Sequence, residues 1–263
     1  MSNSKLSPLH IVKATPSPRY YGMWPGMQDA GDGLVTVRDR SGKQKHLTVG
    51  TGGTYAAVFA TSRYASVVGT APGIDKALTG PDVISHDIAL GQSMILACTI
   101  NAAAPGAECT VGGYRGITGN IQGVSLKVDP TGHPFVTVRD SGATWNSAVP
   151  TNVACDSTDH QIIIAINGTG KKAWGWIDGA LWSNMASGQT GFGSGTTAPD
   201  GSIIWGGVGD FVAGAQPTWV NGQTLKIRNM HLCIMDYWPA NIAGIVAELY
   251  RNPHKPLSKV ILP

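Results

Sequence analysis

Cleavage of a glycosidic bond needs two carboxyl groups held about 5–10 Å apart. This chain of 263 residues holds only two glutamates, Glu108 and Glu248. Neither has an aspartate two residues away, so the alternation that would put an acid pair on one strand face is missing. An aspartate pair drawn from separate strands stays open but carries no signal. No Gly-x-Ser-x-Gly elbow exposes a serine nucleophile. The seven histidines (10, 46, 86, 133, 160, 231 and 254) have no metal-ligand spacing. In the neighbouring pairs His86-Asp87 and Asp159-His160, adjacent strand residues point to opposite faces. Gly50-Thr-Gly-Gly53 and Gly191-Phe-Gly-Ser-Gly195 match no phosphate-binding pattern. Asp200, Asp210 and Asn221 are candidate calcium ligands without a loop of ligand spacing, and Asx turns are much the better explanation of them. The metal content is left open, no cofactor is implied, and the reading is of a protein that is not an enzyme.

Aromatic residues carry the one binding signal. The chain has eight Trp against four Phe. Trp145, Trp182, Trp205 and Trp219 each stand beside turn residues, with Asp210 and Asn221 as polar partners. Exposed indoles next to amides and carboxylates suit stacking on sugar faces. The competing reading is that Trp fills a wide core with its N–H on a backbone partner. Trp174 and Trp176 alternate with Gly175 on one strand face, which suits packing against a helix or a neighbour.

Charge is sparse, with 13% of residues charged against a usual quarter, and it is unevenly placed. Residues 1–20 and 251–263 each carry three basic residues and no acid, leaving the middle acidic. Both ends are rich in proline, which favours extended backbone. They read either as docking arms for an acidic neighbouring surface or as solubilising termini. The arm residues are Lys5, Lys13, Arg19, Tyr20 and Tyr21 at one end, and Lys255, Lys259, Val260, Ile261 and Leu262 at the other. The bases form no dense stripe, so nucleic acid is not an expected partner. No apolar run reaches the ~18 residues of a membrane span, and residues 1–10 lack a signal-like apolar stretch. Four cysteines without a Cys-x-x-Cys motif suggest cytosolic synthesis. A turn at 101–106 would set Cys98 and Cys109 opposite each other on adjacent strands. A disulfide is conceivable there, with two small buried thiols as the favoured alternative.

The elements that must position these groups are strands. Short Val, Ile and Thr runs separated by Gly, Asn and Asp occur at 93–100, 109–111, 123–128, 134–138, 161–166, 173–177, 202–205 and 224–228 with its continuation 230–235. That spacing predicts a sandwich or barrel. Asp129-Pro-Thr-Gly132 and Asp178-Gly179 predict tight hairpins, the second of type I′. The pentapeptide Val35–Asp39 recurs at Val136–Asp140, which fits two similar strand-turn units. One helix is expected after Pro239, with Ile242, Ile245, Val246 and Leu249 on one stripe and Asn252-Pro253 ending it.

In order along the chain, four pieces resemble the concanavalin A-like (laminin-G-like) jelly-roll domain in the form found in bacteriophage structural proteins. They are Asp39-Arg-Ser-Gly42, the hairpin 123–138, the Trp-Ile-Asp-Gly turn ending His160–Trp182, and Leu249-Tyr-Arg-Asn-Pro253. The expected fold is an all-β antiparallel jelly-roll sandwich over 21–253, with an arm at 1–20 and a tail at 254–263. The resemblance implies a non-enzymatic virion protein, a capsid decoration or tail accessory. Such a protein would be made in the host cytoplasm, be oligomeric in the particle and dock on other virion proteins. The alternative is a lectin-like module contacting surface glycans; a glycan hydrolase ranks third.

Overall fold

A side chain on a strand covered on one face alternates between core and solvent, whereas a strand covered on both faces reads as a continuous apolar run. Ser93–Ile100 and Gln161–Ile166 are runs of the second kind, and they form the centre of the fold. The structure, a computed structural model, describes residues 20–24, 36–42, 44, 46–49, 65–68, 78–82, 92–115, 123–139, 144–147, 151–170, 172–184, 202–205 and 224–254. Among the described residues the chain forms two antiparallel sheets and one helix.

The first sheet contains β1 (Tyr20–Trp24), β4 (Ala65–Val68), β6 (Ser93–Ala103), β11 (Asp156–Asn167), β12 (Lys172–Ile177), β13 (Ala180–Asn184) and β15 (Thr224–Met235). Its order is β1-β15-β6-β11-β12-β13, with β4 also paired to β15. The second contains β2 (Thr36–Val37), β3 (Leu47–Val49), β5 (Leu78–Asp82), β7 (Cys109–Arg115), β8 (Gly123–Val128), β9 (Pro134–Arg139), β10 (Thr144–Asn146) and β14 (Ser202–Trp205). Its order is β10-β9-β8-β7-β14-β5-β3-β2. The helix α1 (Ile242–Arg251) follows the last strand.

Side chains from both sheets meet in one core, where Leu96, Cys98 and Ile164 of the first sheet share a cluster with Val111, Leu126 and Val136 of the second. The molecule is therefore a β-sandwich. A second cluster lies on the outer face of the first sheet, where Ile95, Ala97, Ile163 and Trp176 are covered by Ile245, Val246 and Leu249 of α1. The helix thus buries the face that would otherwise be wet, as its apolar stripe predicts. Asn241 caps it, accepting from the Gly244 N–H at 3.0 Å.

The runs 224–228 and 230–235 are one strand, interrupted at Asn229, whose φ is +49°. The register on β6 shifts between Arg228 and His231 at that point, which marks a bulge. The Asp39 turn is anchored: its carboxylate accepts from the Met23 N–H at 3.0 Å and the Ser41 N–H at 2.8 Å. Tyr20 and Tyr21, expected in a docking arm, instead pair with Ile234 and Cys233 as part of β1. The backbone ladder ties them into the sheet. Cys98 and Cys109 also correct the expectation of adjacent strands. They sit on β6 and β7 in different sheets, and all four thiols are buried with no disulfide. The remaining arm residues, Lys5, Lys13, Arg19, Lys255, Lys259, Val260, Ile261 and Leu262, lie outside the described residues.

Candidate functional site

The Asp178-Gly179 turn joins β12 to β13, and both residues have positive φ, +50° and +80°. This is the type I′ geometry that matches the twist of a hairpin. The turn presents Asp178 to three groups. Its Oδ1 accepts from the Gln161 N–H at 2.8 Å, its Oδ2 lies 2.7 Å from His160 Nδ1, and its own N–H donates to the Gln161 carbonyl at 2.9 Å. His160 Nε2 stands 3.0 Å from Asp156 Oδ1, so the imidazole sits between two carboxylates. Asp159, one residue earlier, faces elsewhere: it accepts from Asn101 at 2.9 Å and from Arg228 at 2.5 Å. Sequence neighbours thus serve separate partners, as alternation requires.

The Thr158 hydroxyl and backbone N–H hold the Asp156 carboxyl down to about 2. Burial lowers the His160 pKa, but hydrogen bonds and charge from Asp178 and Asp156 outweigh it and the net shift is upward. A raised folded pKa means that this link contributes stability fully present below the ordinary histidine value of 6.5, lost as pH rises through the folded value. An NMR titration should show His160 holding its proton above pH 6.5, and Asp178→Asn should bring the midpoint down. An unchanged midpoint in Asp178→Asn would show that the carboxylate does not set it.

Helix α1 closes against this turn. The Tyr250 ring lies over Gly179 so closely that a Cβ there would stand 3.1 Å from Tyr250 Cδ1. Beneath them is a cleft of about 350 Å³ lined by Trp176, Asp178, Gly179, Val246, Tyr250 and Arg251, among others. That volume falls in the range of small-molecule sites, which combine apolar walls with a few polar groups. Leu181 and Tyr250, at 53% and 47% exposure, are the exposed large hydrophobic residues among those described. Tyr250 lines the cleft, and Leu181 pairs with its floor residue Trp176 on the edge strand β13.

The indoles expected at a binding surface fare differently. Trp205 is fully buried and meets Trp24 edge to face at 6.2 Å between centroids, so it offers no ring to a ligand. Its position on a strand between β7 and β5 turns it into the core, which corrects the expectation drawn from the glycines that follow it. Trp182 is half-buried against the inner core, its ring within 2.5 Å of where a Gly175 Cβ would stand. Trp145 lies on the edge strand β10, paired with Val138. Trp219, Asp210 and Asn221, like Asp200, fall outside the described residues.

Tyr250, Asp178 and Arg251 were not singled out as binding residues by sequence. One signal was available: Tyr250 stands off the 242/245/246/249 stripe and so must face outward. The glutamates are engaged apart from each other. Glu108 pairs with Lys127 at 2.6 Å, and Glu248 accepts from Asn252 at 3.1 Å. Among the described residues no group of three or more His, Cys, Asp or Glu could hold a metal ion, and no helix is long and apolar enough to cross a membrane.

The sandwich is similar in fold to solved toxin structures, binding domains among them. A botulinum neurotoxin type C structure, whose cell entry is described as dependent upon interaction with two ganglioside molecules, is similar with a TM-score of 0.56 and 10% identity, over 90% of this chain and 52% of that one. The binding domain of Paraclostridial Mosquitocidal Protein 1 is similar with a TM-score of 0.59 and 11% identity, over 88% and 51%. The binding domain of botulinum neurotoxin DC in complex with rat synaptotagmin II gives 0.56 and 12%, over 88% and 51%. The chain spans about half the length of these structures. No protein-family model matches the chain, and no curated protein matches it in sequence. At these identities the likeness concerns the fold, and it extends the sandwich expectation without supporting the bacteriophage form.

Proposed function

We propose that this protein is a carbohydrate-binding module and that its site is the cleft between the Asp178-Gly179 turn and α1. The observation that carries the reading is the half-exposed Tyr250 ring lying over Gly179, with Asp178 and Arg251 lining the same cleft. A pyranose presents an apolar C–H face and a rim of hydroxyls. An aromatic face takes the first, and a carboxylate with a guanidinium takes the second. Asp178 is pre-set for this task because His160 and the Gln161 N–H hold its carboxylate in place, so little ordering is left to binding.

The ganglioside interaction stated for the type C neurotoxin supports the glycan reading over the virion role. The role is one of binding, not turnover, with cell-surface or polymeric glycans as the partners. Tyr250→Ala should lower saccharide affinity at least tenfold, read by calorimetry against a ligand found on a glycan array. Its unfolding midpoint should hardly move, since a substitution at an exposed position usually stays within about 0.5 kcal/mol. Wild-type protein that binds no saccharide at millimolar concentration would end this reading.

A further inference from the structure

Further aromatic surface follows Trp176, which lines the cleft, on the same face of β12. Trp174 lies two residues back on β12 and on the same strand face, and it stacks on Trp238 with 4.9 Å between centroids and 27° between planes. Both indoles are only partly buried, as is Ile242 at the start of α1, and all three pack on the cluster that contains Trp176. Helix and strand therefore bound one shared junction, with Tyr250, Trp176 and the Trp174–Trp238 pair in sequence along it. At about 3.3 Å per strand residue, Trp174 stands about 13 Å from Asp178. The ten residues of α1 give a wall of about 15 Å beside it. A single sugar ring does not span that length.

The polar groups are unevenly distributed: Asp178 and Arg251 line the cleft at the Tyr250 end, while beyond Trp176 stand the stacked, partly buried indoles of Trp174 and Trp238. Such a layout fixes one unit of a chain by hydrogen bonds and leaves the following units to be held by stacking. We infer that the ligand is a linear oligosaccharide laid along the junction of α1 and β12, one unit against Tyr250 and Asp178 and later units reaching the Trp174–Trp238 pair. This rests on the carbohydrate reading above and adds to it the class of ligand and a second contact region.

Binding should be measured on wild-type protein with an array of linear oligosaccharides of graded length, neutral and acidic, followed by calorimetry of the best series from disaccharide to hexasaccharide. Affinity is expected to rise at least tenfold from the disaccharide to the tetrasaccharide. Trp174→Ala and Trp238→Ala should remove that gain while leaving the disaccharide affinity within twofold. The wild-type length series stands even if a Trp variant fails to fold. Equal affinity for short and long ligands, or equal losses for both in Trp174→Ala, would overturn the extended groove and leave the Tyr250 cleft intact. Binding of no saccharide would overturn both.

Discussion

Trp205→Ala is expected to lower the unfolding free energy by about 3–5 kcal/mol, the range for removing a buried Trp from a core. The side chain is fully buried in the cluster shared by both sheets. It rests on the backbone of Gly112, its cross-strand partner on β7, where an added Cβ would stand 2.2 Å from the indole Cε3. The glycine and the tryptophan are thus one packing unit, and neighbours drawn together from both sheets cannot readily close the cavity. Denaturant unfolding followed by Trp fluorescence checks the magnitude. A chain of this size should show a melting temperature lower by about 2–4 °C per kcal/mol. Under conditions where the variant stays folded, its saccharide affinity should equal that of wild type, because Trp205 is on no surface. A loss of affinity without a loss of stability would contradict this placement.

Acid should destabilise the protein through His231. This residue lies on β15, is almost wholly buried, and lies with Nε2 2.6 Å from the Pro253 carbonyl, tying the end of α1 to the sheet. Burial holds its pKa down at about 4, with the hydrogen bond opposing that shift and His254 adding to it. In the unfolded chain the ring takes its proton near 6.5, so between pH 6.5 and about 4 the unfolded state binds more protons and stability falls. At 1.36 kcal/mol per pH unit the loss is about 3 kcal/mol. The other shifted groups act outside this window. Asp156 and Asp129, with lowered pKa values, contribute stability that is lost only at lower pH, while the His160 contribution is lost as pH rises. Urea midpoints at pH 7 and pH 4.5 should therefore differ strongly in wild type and much less in His231→Gln. Equal differences in both proteins would show that another group carries the acid sensitivity.

Much of the architecture was legible along the chain. β8 and β14 occupy 123–128 and 202–205 as the strand-like runs between turn signals indicated. The Asp-Gly dipeptide announced a turn that needs two positive φ angles, and Ile245, Val246 and Leu249 marked the helix face that is buried. These features depend on neighbours within a few residues, where period and turn chemistry act. The candidate site was legible only in part. Trp205 and Trp174 look alike in sequence, each beside a glycine, yet one is sealed between sheets and the other is partly buried on the outer face against Trp238. What separates them is which strand lies alongside and what covers the outer face.

Residue order alone set the strand periodicity, the hairpin at Asp178-Gly179 and the absence of an alternating glutamate pair, because each is a property of local spacing. Assembly chose the site. Asp178 gained His160 from 18 residues away, and Gly179 gained Tyr250 from the far end of the chain. The first meeting follows from the pairing of β11 with β12, and the second from burying the apolar face of α1 on a sheet already covered on its other side. A burial energy of that kind depends on shape and area summed over distant segments, and no short stretch of sequence contains it.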